Sequence, residues 1–94
     1  MHFVRMNYIE YSSKEVADEM EAKYVSVASD GFPDAKVLVF LRTDAMTATL
    51  CSIYPDKATY DRATEERKKR ILSNADKIKS VCSEEGEAAL ALIR

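Results

Sequence analysis

Few side chains in this sequence could do chemistry. There is one histidine, His2, beside the N-terminus, and two cysteines, Cys51 and Cys82, without the spacing that holds a metal. The chain has no tryptophan, and no Cys-x-x-Cys, glycine-rich phosphate loop or histidine pair. Its serines and threonines have no histidine nearby in sequence to act as a base. Acyl-transfer and zinc chemistry are therefore set aside, and no metal or other cofactor is expected. The cysteines read as small buried hydrophobes of a reducing compartment.

What remains is neutral or cationic. Asn7 carries an amide in a stretch that reads as a central strand, where a buried amide must be hydrogen-bonded to the fold or to a ligand. Arg67 falls on the inward stripe of the last helix, where Ile or Leu would be expected. It either packs its stem and reaches the edge, or clamps an anionic head group. Tyr24 and Tyr60 are placed to line the same space or to serve as plain core. An enzyme built on this chain would have to polarise its substrate with Asn7, a tyrosine or Arg67, because no stronger acid or base lies on the inward faces.

Hydrophobic periodicity gives the elements that position these groups. His2 to Tyr11 alternates as a strand, with Val4, Met6 and Tyr8 on one face and Phe3, Arg5, Asn7 and Ile9 on the other. Ser12-Ser13-Lys14-Glu15 offers a capping box between Ser12 and Glu15. The helix after it carries Val16, Met20, Tyr24 and Val27 or Ala28 at helical spacing, and Gly31 and Pro33 close it. Ala35 to Arg42 and Thr47 to Tyr54 form a hairpin around Thr43 to Met46. Pro55-Asp56 opens a helical stretch from Lys57 towards Ser83, with Tyr60, Ala63, Arg67, Ile71, Ala75, Ile78 and Cys82 on one side. Unbroken, it would be roughly 40 Å long, about twice the strands it covers, so a kink or break is expected near Ser73-Asn74. Gly86 precedes an expected last strand, Glu87 to Ile93, apolar on both faces. The charge run Glu65 to Arg70 reads as a solvated helix face.

The order strand, helix, strand, strand, helix, strand predicts an α+β chain, a ferredoxin-like βαββαβ fold with a four-stranded antiparallel sheet, in one domain spanning 1–94. Strands apolar on both faces need cover on both. Helices supply it on one side, and a second copy of the chain is expected on the other. With 94 residues the chain gains from association. Its formal net charge of −2 gives nucleic acid little to attract it. The longest apolar runs, Val37 to Leu41 and Ala88 to Ile93, are far below the ~20 residues of a membrane span, and Met1 to Arg5 does not resemble a signal peptide. No nucleic acid, no membrane and a cytoplasmic location are expected.

Several families share this strand order. RNA-recognition domains need stacking aromatics on the third strand, absent from Thr47 to Ser52. Acylphosphatases need an anion-binding loop with Arg, and copper chaperones paired cysteines, where this chain has Ser12-Ser13-Lys14-Glu15. With its helix opening at Ser12 to Glu15, Asp30-Gly31-Phe32 and Tyr54-Pro55-Asp56-Lys57, the chain instead resembles the dimeric α+β barrel superfamily along its length. Within it, the chain is similar to the antibiotic-biosynthesis-monooxygenase-like group. That resemblance implies a homodimer with two sheets facing each other and, in each subunit, a cavity for an apolar small molecule between sheet and helices. Haem-degrading members use an Asn on the first strand, a Trp on the last helix and a haem-ligating His. Asn7 matches the first, Ala63 stands where the Trp would be, and the last helix has no His, so haem degradation is rejected.

The expectation is a protein that holds an apolar ligand, fatty-acyl or aromatic, between the sheet and helices of a homodimer. Asn7, Ile9, Met20, Tyr24, Tyr60, Ala63, Arg67 and Ile71 are expected to bound the pocket. The alternative, also implied by the resemblance, is a cofactor-independent monooxygenase or isomerase acting on an aromatic or polyketide-like substrate.

Overall fold

A computed structural model describes residues 1–94, the side chain of Ser29 excepted. The chain runs β1 (Phe3–Tyr11), α1 (Lys14–Gly31), β2 (Val37–Arg42), β3 (Thr47–Tyr54), α2 (Lys57–Ser73) and β4 (Ile78–Glu87). The strands form one antiparallel sheet in the order β2-β3-β1-β4. The predicted ferredoxin-like βαββαβ arrangement is therefore the observed one.

Helix α1 is capped one residue later than the expected capping box. Ser13, in an extended conformation, accepts from the Val16 N–H at 3.1 Å, while the Ser12 N–H donates to the Lys77 carbonyl. Asp56 caps α2 in the same way, through the Thr59 N–H. The Thr59 hydrogen bonds hold the Asp56 carboxyl below its ordinary pKa.

The stretch from Lys57 to Ser83 does not stay helical. Asn74 caps α2 after Ser73, returning its backbone N–H and its amide to the Arg70 carbonyl. The chain then turns and becomes β4, so Ile78 and Cys82 lie on a strand. The expected last strand, Glu87 to Ile93, is corrected accordingly. Beyond Glu87 the chain leaves the sheet after one more bond, from the Ala88 N–H to the His2 carbonyl, and Leu90 and Leu92 are exposed. The physical reason is position. As an edge strand partnered only by β1, β4 needs no continuous apolar face, and its polar alternation hid it.

Period-two alternation divides the sheet. Phe3, Arg5, Asn7, Ile9 and Tyr11 of β1, with Ala48, Leu50, Ser52 and Tyr54 of β3, lie on the helix-covered side and are mostly buried. Val4, Met6 and Tyr8 fall on the opposite face, in register with Ile53, Cys51 and Thr49 and, beyond them, Val37, Val39 and Leu41. The helix-side core has two parts. Tyr11, Ala17, Ala48 and Leu50 pack with Met20, Tyr24 and Phe40 under α1. Phe3, Tyr54 and Tyr60 pack with Ala63 under α2. No helix of the described residues is long and apolar enough to cross a membrane.

Candidate functional site

Between the two parts of the core the packing is incomplete. A cavity of about 400 Å³ opens there, floored by β1 and β3 and walled by α1 and α2. Its apolar lining comes from Ile9, Met20, Leu50 and Ile71 and from five aromatic rings, Tyr11, Tyr24, Phe32, Phe40 and Tyr54. Tyr24 and Phe40 pack as a tilted pair with centroids 5.3 Å apart, forming a continuous aromatic wall from α1 to β2.

The polar group with the most developed geometry joins three elements. Arg67 of α2 donates through Nη2 to the Asn7 Oδ1 of β1 at 2.9 Å and to the Ser83 Oγ of β4 at 2.6 Å. Ser83 in turn donates to Asn7 Oδ1 at 2.6 Å. The buried Asn7 amide thus spends its oxygen on fixing the guanidinium. Arg67 Nε is buried and has no hydrogen-bond partner. Burial first, and the neighbouring Arg5 charge second, lower the Arg67 pKa from its ordinary value; a guanidinium stays charged under such a shift.

Around the cavity stand Arg5, Lys23, Arg67 and Arg70, and among the described lining residues there is no carboxylate. Arg5 is tied down, donating to Tyr60 Oη at 3.0 Å and Thr64 Oγ1 at 2.5 Å while lying over the Tyr60 ring. Arg70 stacks on Phe32 at 4.5 Å and pairs with Glu66 at 3.7 Å. A Cβ on Gly31 would collide with the Arg70 guanidinium, so the missing side chain makes room for this arrangement.

Of the residues expected to bound the pocket, Asn7, Ile9, Met20, Tyr24, Arg67 and Ile71 lie on its wall. Tyr60 and Ala63 do not. Tyr60 is drawn into the second core cluster by Phe3, at 4.5 Å between centroids, and by Tyr54, at 5.7 Å. Its hydroxyl is held by Arg5 and donates to Glu85. Ala63 packs against that cluster and faces a separate recess between the end of α1 and α2, with Asp30, Phe32 and Arg62. Residues that the periodicity did not single out complete the wall. Arg5 shares the inward face of β1 with Asn7, and Arg70 stands one turn beyond Arg67, so both signals were present in the spacing. Ser83 had no such signal, because its strand was read as helix.

The wall lacks a conventional base. Burial is the first cause that raises the phenol pKa of Tyr11, Tyr24 and Tyr54 above its ordinary value, so all three are neutral hydroxyls near neutrality. Among the described residues no cluster of three or more His, Cys, Asp or Glu is placed to hold a metal. The site can surround an apolar body, donate hydrogen bonds and offer positive charge.

No protein-family model and no curated protein matches the sequence. Solved structures do match the fold. NE2512 of Nitrosomonas europaea, a protein of unknown function, superposes with a TM-score of 0.82 at 13% identity over 99% of this chain and 94% of that one. A dimeric ferredoxin-like protein from an uncultured marine organism gives 0.77 at 12% identity over 99% and 92%. A candidate antibiotic biosynthesis monooxygenase from Bacteroides thetaiotaomicron gives 0.74 at 20% identity over 99% and 94%. At these identities the likeness is one of fold, and it is the fold of the group that the sequence resembles.

Proposed function

We propose that this protein binds a small apolar molecule, fatty-acyl or aromatic, in the cavity between its sheet and its helices. The observation that carries this reading is the cavity itself. A volume of about 400 Å³ lined by Met20, Leu50, Ile71 and a wall of aromatic rings is the size and make-up of a small-molecule site. Its polar groups offer hydrogen bonds and positive charge without a conventional base, which suits orientation of a guest more than chemistry upon it.

The binding unit in this reading is a homodimer. The sheet face away from the helices carries Val4, Met6, Val37, Val39, Leu41 and Ile53 in adjoining register. Val39 and Leu41 are 45% and 55% exposed in the single chain. A contiguous apolar sheet face of this kind is costly to leave in water, and the marine ferredoxin-like protein of the same fold is dimeric.

A thermal-shift panel of fatty acids, aromatic acids and polycyclic phenols tests the reading. A ligand at about a hundred times its Kd adds roughly 2.7 kcal/mol, worth about ten degrees of melting temperature or more in a chain of this size. At least one compound class is expected to produce such a shift; no shift with any of them overturns the reading.

The fold likeness to a candidate monooxygenase favours a second reading, cofactor-independent oxygenation or isomerisation of an aromatic or polyketide-like substrate. Here Asn7 and Arg67 polarise a substrate oxygen. Oxygen uptake with polyphenol anions, abolished by Asn7→Ala, is its signature, and wild-type protein that consumes no oxygen with any of them excludes the oxygenase form.

A further inference from the structure

We infer that the guest is an organic anion, an apolar body ending in one carboxylate, and that Arg67 is the residue that reads its charge. This rests on the small-molecule reading of the cavity and names the ligand class. The first observation is a local imbalance. The chain as a whole carries a formal net charge of −2, yet Arg5, Lys23, Arg67 and Arg70 stand around one cavity with no carboxylate among its described lining residues. In a site floored by apolar side chains, that excess is weakly screened.

The second observation separates Arg67 from the other two arginines, while Lys23 is exposed to solvent. Arg70 has Glu66 at 3.7 Å, and Arg5 is enclosed by Tyr60 and Thr64 with Glu85 beside it. Arg67 joins none of the ion pairs among the described residues. Among the described residues its acceptors are the neutral oxygens of Asn7 and Ser83, and its Nε is buried without any. A carboxylate supplies the missing counter-charge, and its planar pair of oxygens matches a guanidinium edge.

Asn7 and Ser83 are positioning residues in this scheme. They hold Arg67 from two strands, so the guanidinium is in place before the guest arrives and little rotamer freedom remains to be lost. The aromatic wall of Tyr24 and Phe40 receives the body of the ligand.

Matched acids and amides test the inference by calorimetric titration of the intact protein. The probes are 2-naphthoate against 2-naphthamide, and decanoate against decanamide. Each acid is expected to bind about tenfold or more tighter than its amide, and added salt is expected to weaken the acid alone. In Arg67→Met the ratio should collapse towards one, the acids losing far more affinity than the amides. Arg67→Lys, which keeps the charge without the fork, should restore part of the preference. Equal binding of acid and amide by the wild type overturns the inference and leaves the apolar-guest reading standing. Binding of neither overturns both. A preference that survives in Arg67→Met overturns the role of Arg67, and should that variant fail to fold, the wild-type ratio and the Arg67→Lys ratio still decide.

Discussion

Asn7 and Arg67 hold each other in place, and most of the site's character follows from that pair. A buried amide and a guanidinium each need partners, and each supplies the other with one at 2.9 Å. Because the partner is an amide, the positive charge stays uncompensated. Asn7→Asp should remove this property without removing the geometry. The new carboxylate would sit against Arg67, so affinity for 2-naphthoate should fall by about tenfold or more while 2-naphthamide binds as before. Unchanged binding of the acid would contradict the account. Both residues were legible in the sequence, Asn7 as an amide on an apolar strand and Arg67 as a cation on an apolar stripe. Tyr60 illustrates the limit. Helical spacing gave its face, but only the tertiary neighbours Phe3 and Tyr54 decide that its ring fills core instead of bounding the cavity.

At the scale of the element, the sheet has one covered face and one uncovered face. Residues such as Met6 on the uncovered side contribute on the order of 1.5–3 kcal/mol each when buried, so the face formed by β1, β2 and β3 is the contact expected in the proposed dimer. Met6→Asp places a charge in the middle of it, in register with Cys51. In light scattering at micromolar concentration the wild type should be a dimer and the variant a monomer or unfolded; a monomeric wild type of normal stability would refute the contact. Elements with an apolar period were readable from sequence alone. Thr47 to Tyr54 begins and ends where periodicity placed it, and the break expected at Ser73-Asn74 is where α2 stops. β4 was not readable. Its helix-side positions Ser83 and Glu85 are polar because they meet Arg67 and Tyr60, so the pairing that makes it a strand is visible only in three dimensions. The apolar run Ala88 to Ile93 then attracted the strand assignment that belonged to its polar neighbour.

The whole molecule joins two demands that one chain does not meet by itself. Its apolar sheet face needs a cover, which the second copy of the proposed dimer would provide. Its cavity is left open by the chain's own side chains, and the proposed guest would fill it. Both demands are read by one measurement, native mass spectrometry of the protein as purified at micromolar concentration, followed by solvent extraction. The account predicts a dimer that carries extra mass on each chain, released by the solvent as a compound with an apolar body and an acid group. A bare monomer mass, unaltered after incubation with fatty or aromatic acids, would contradict it.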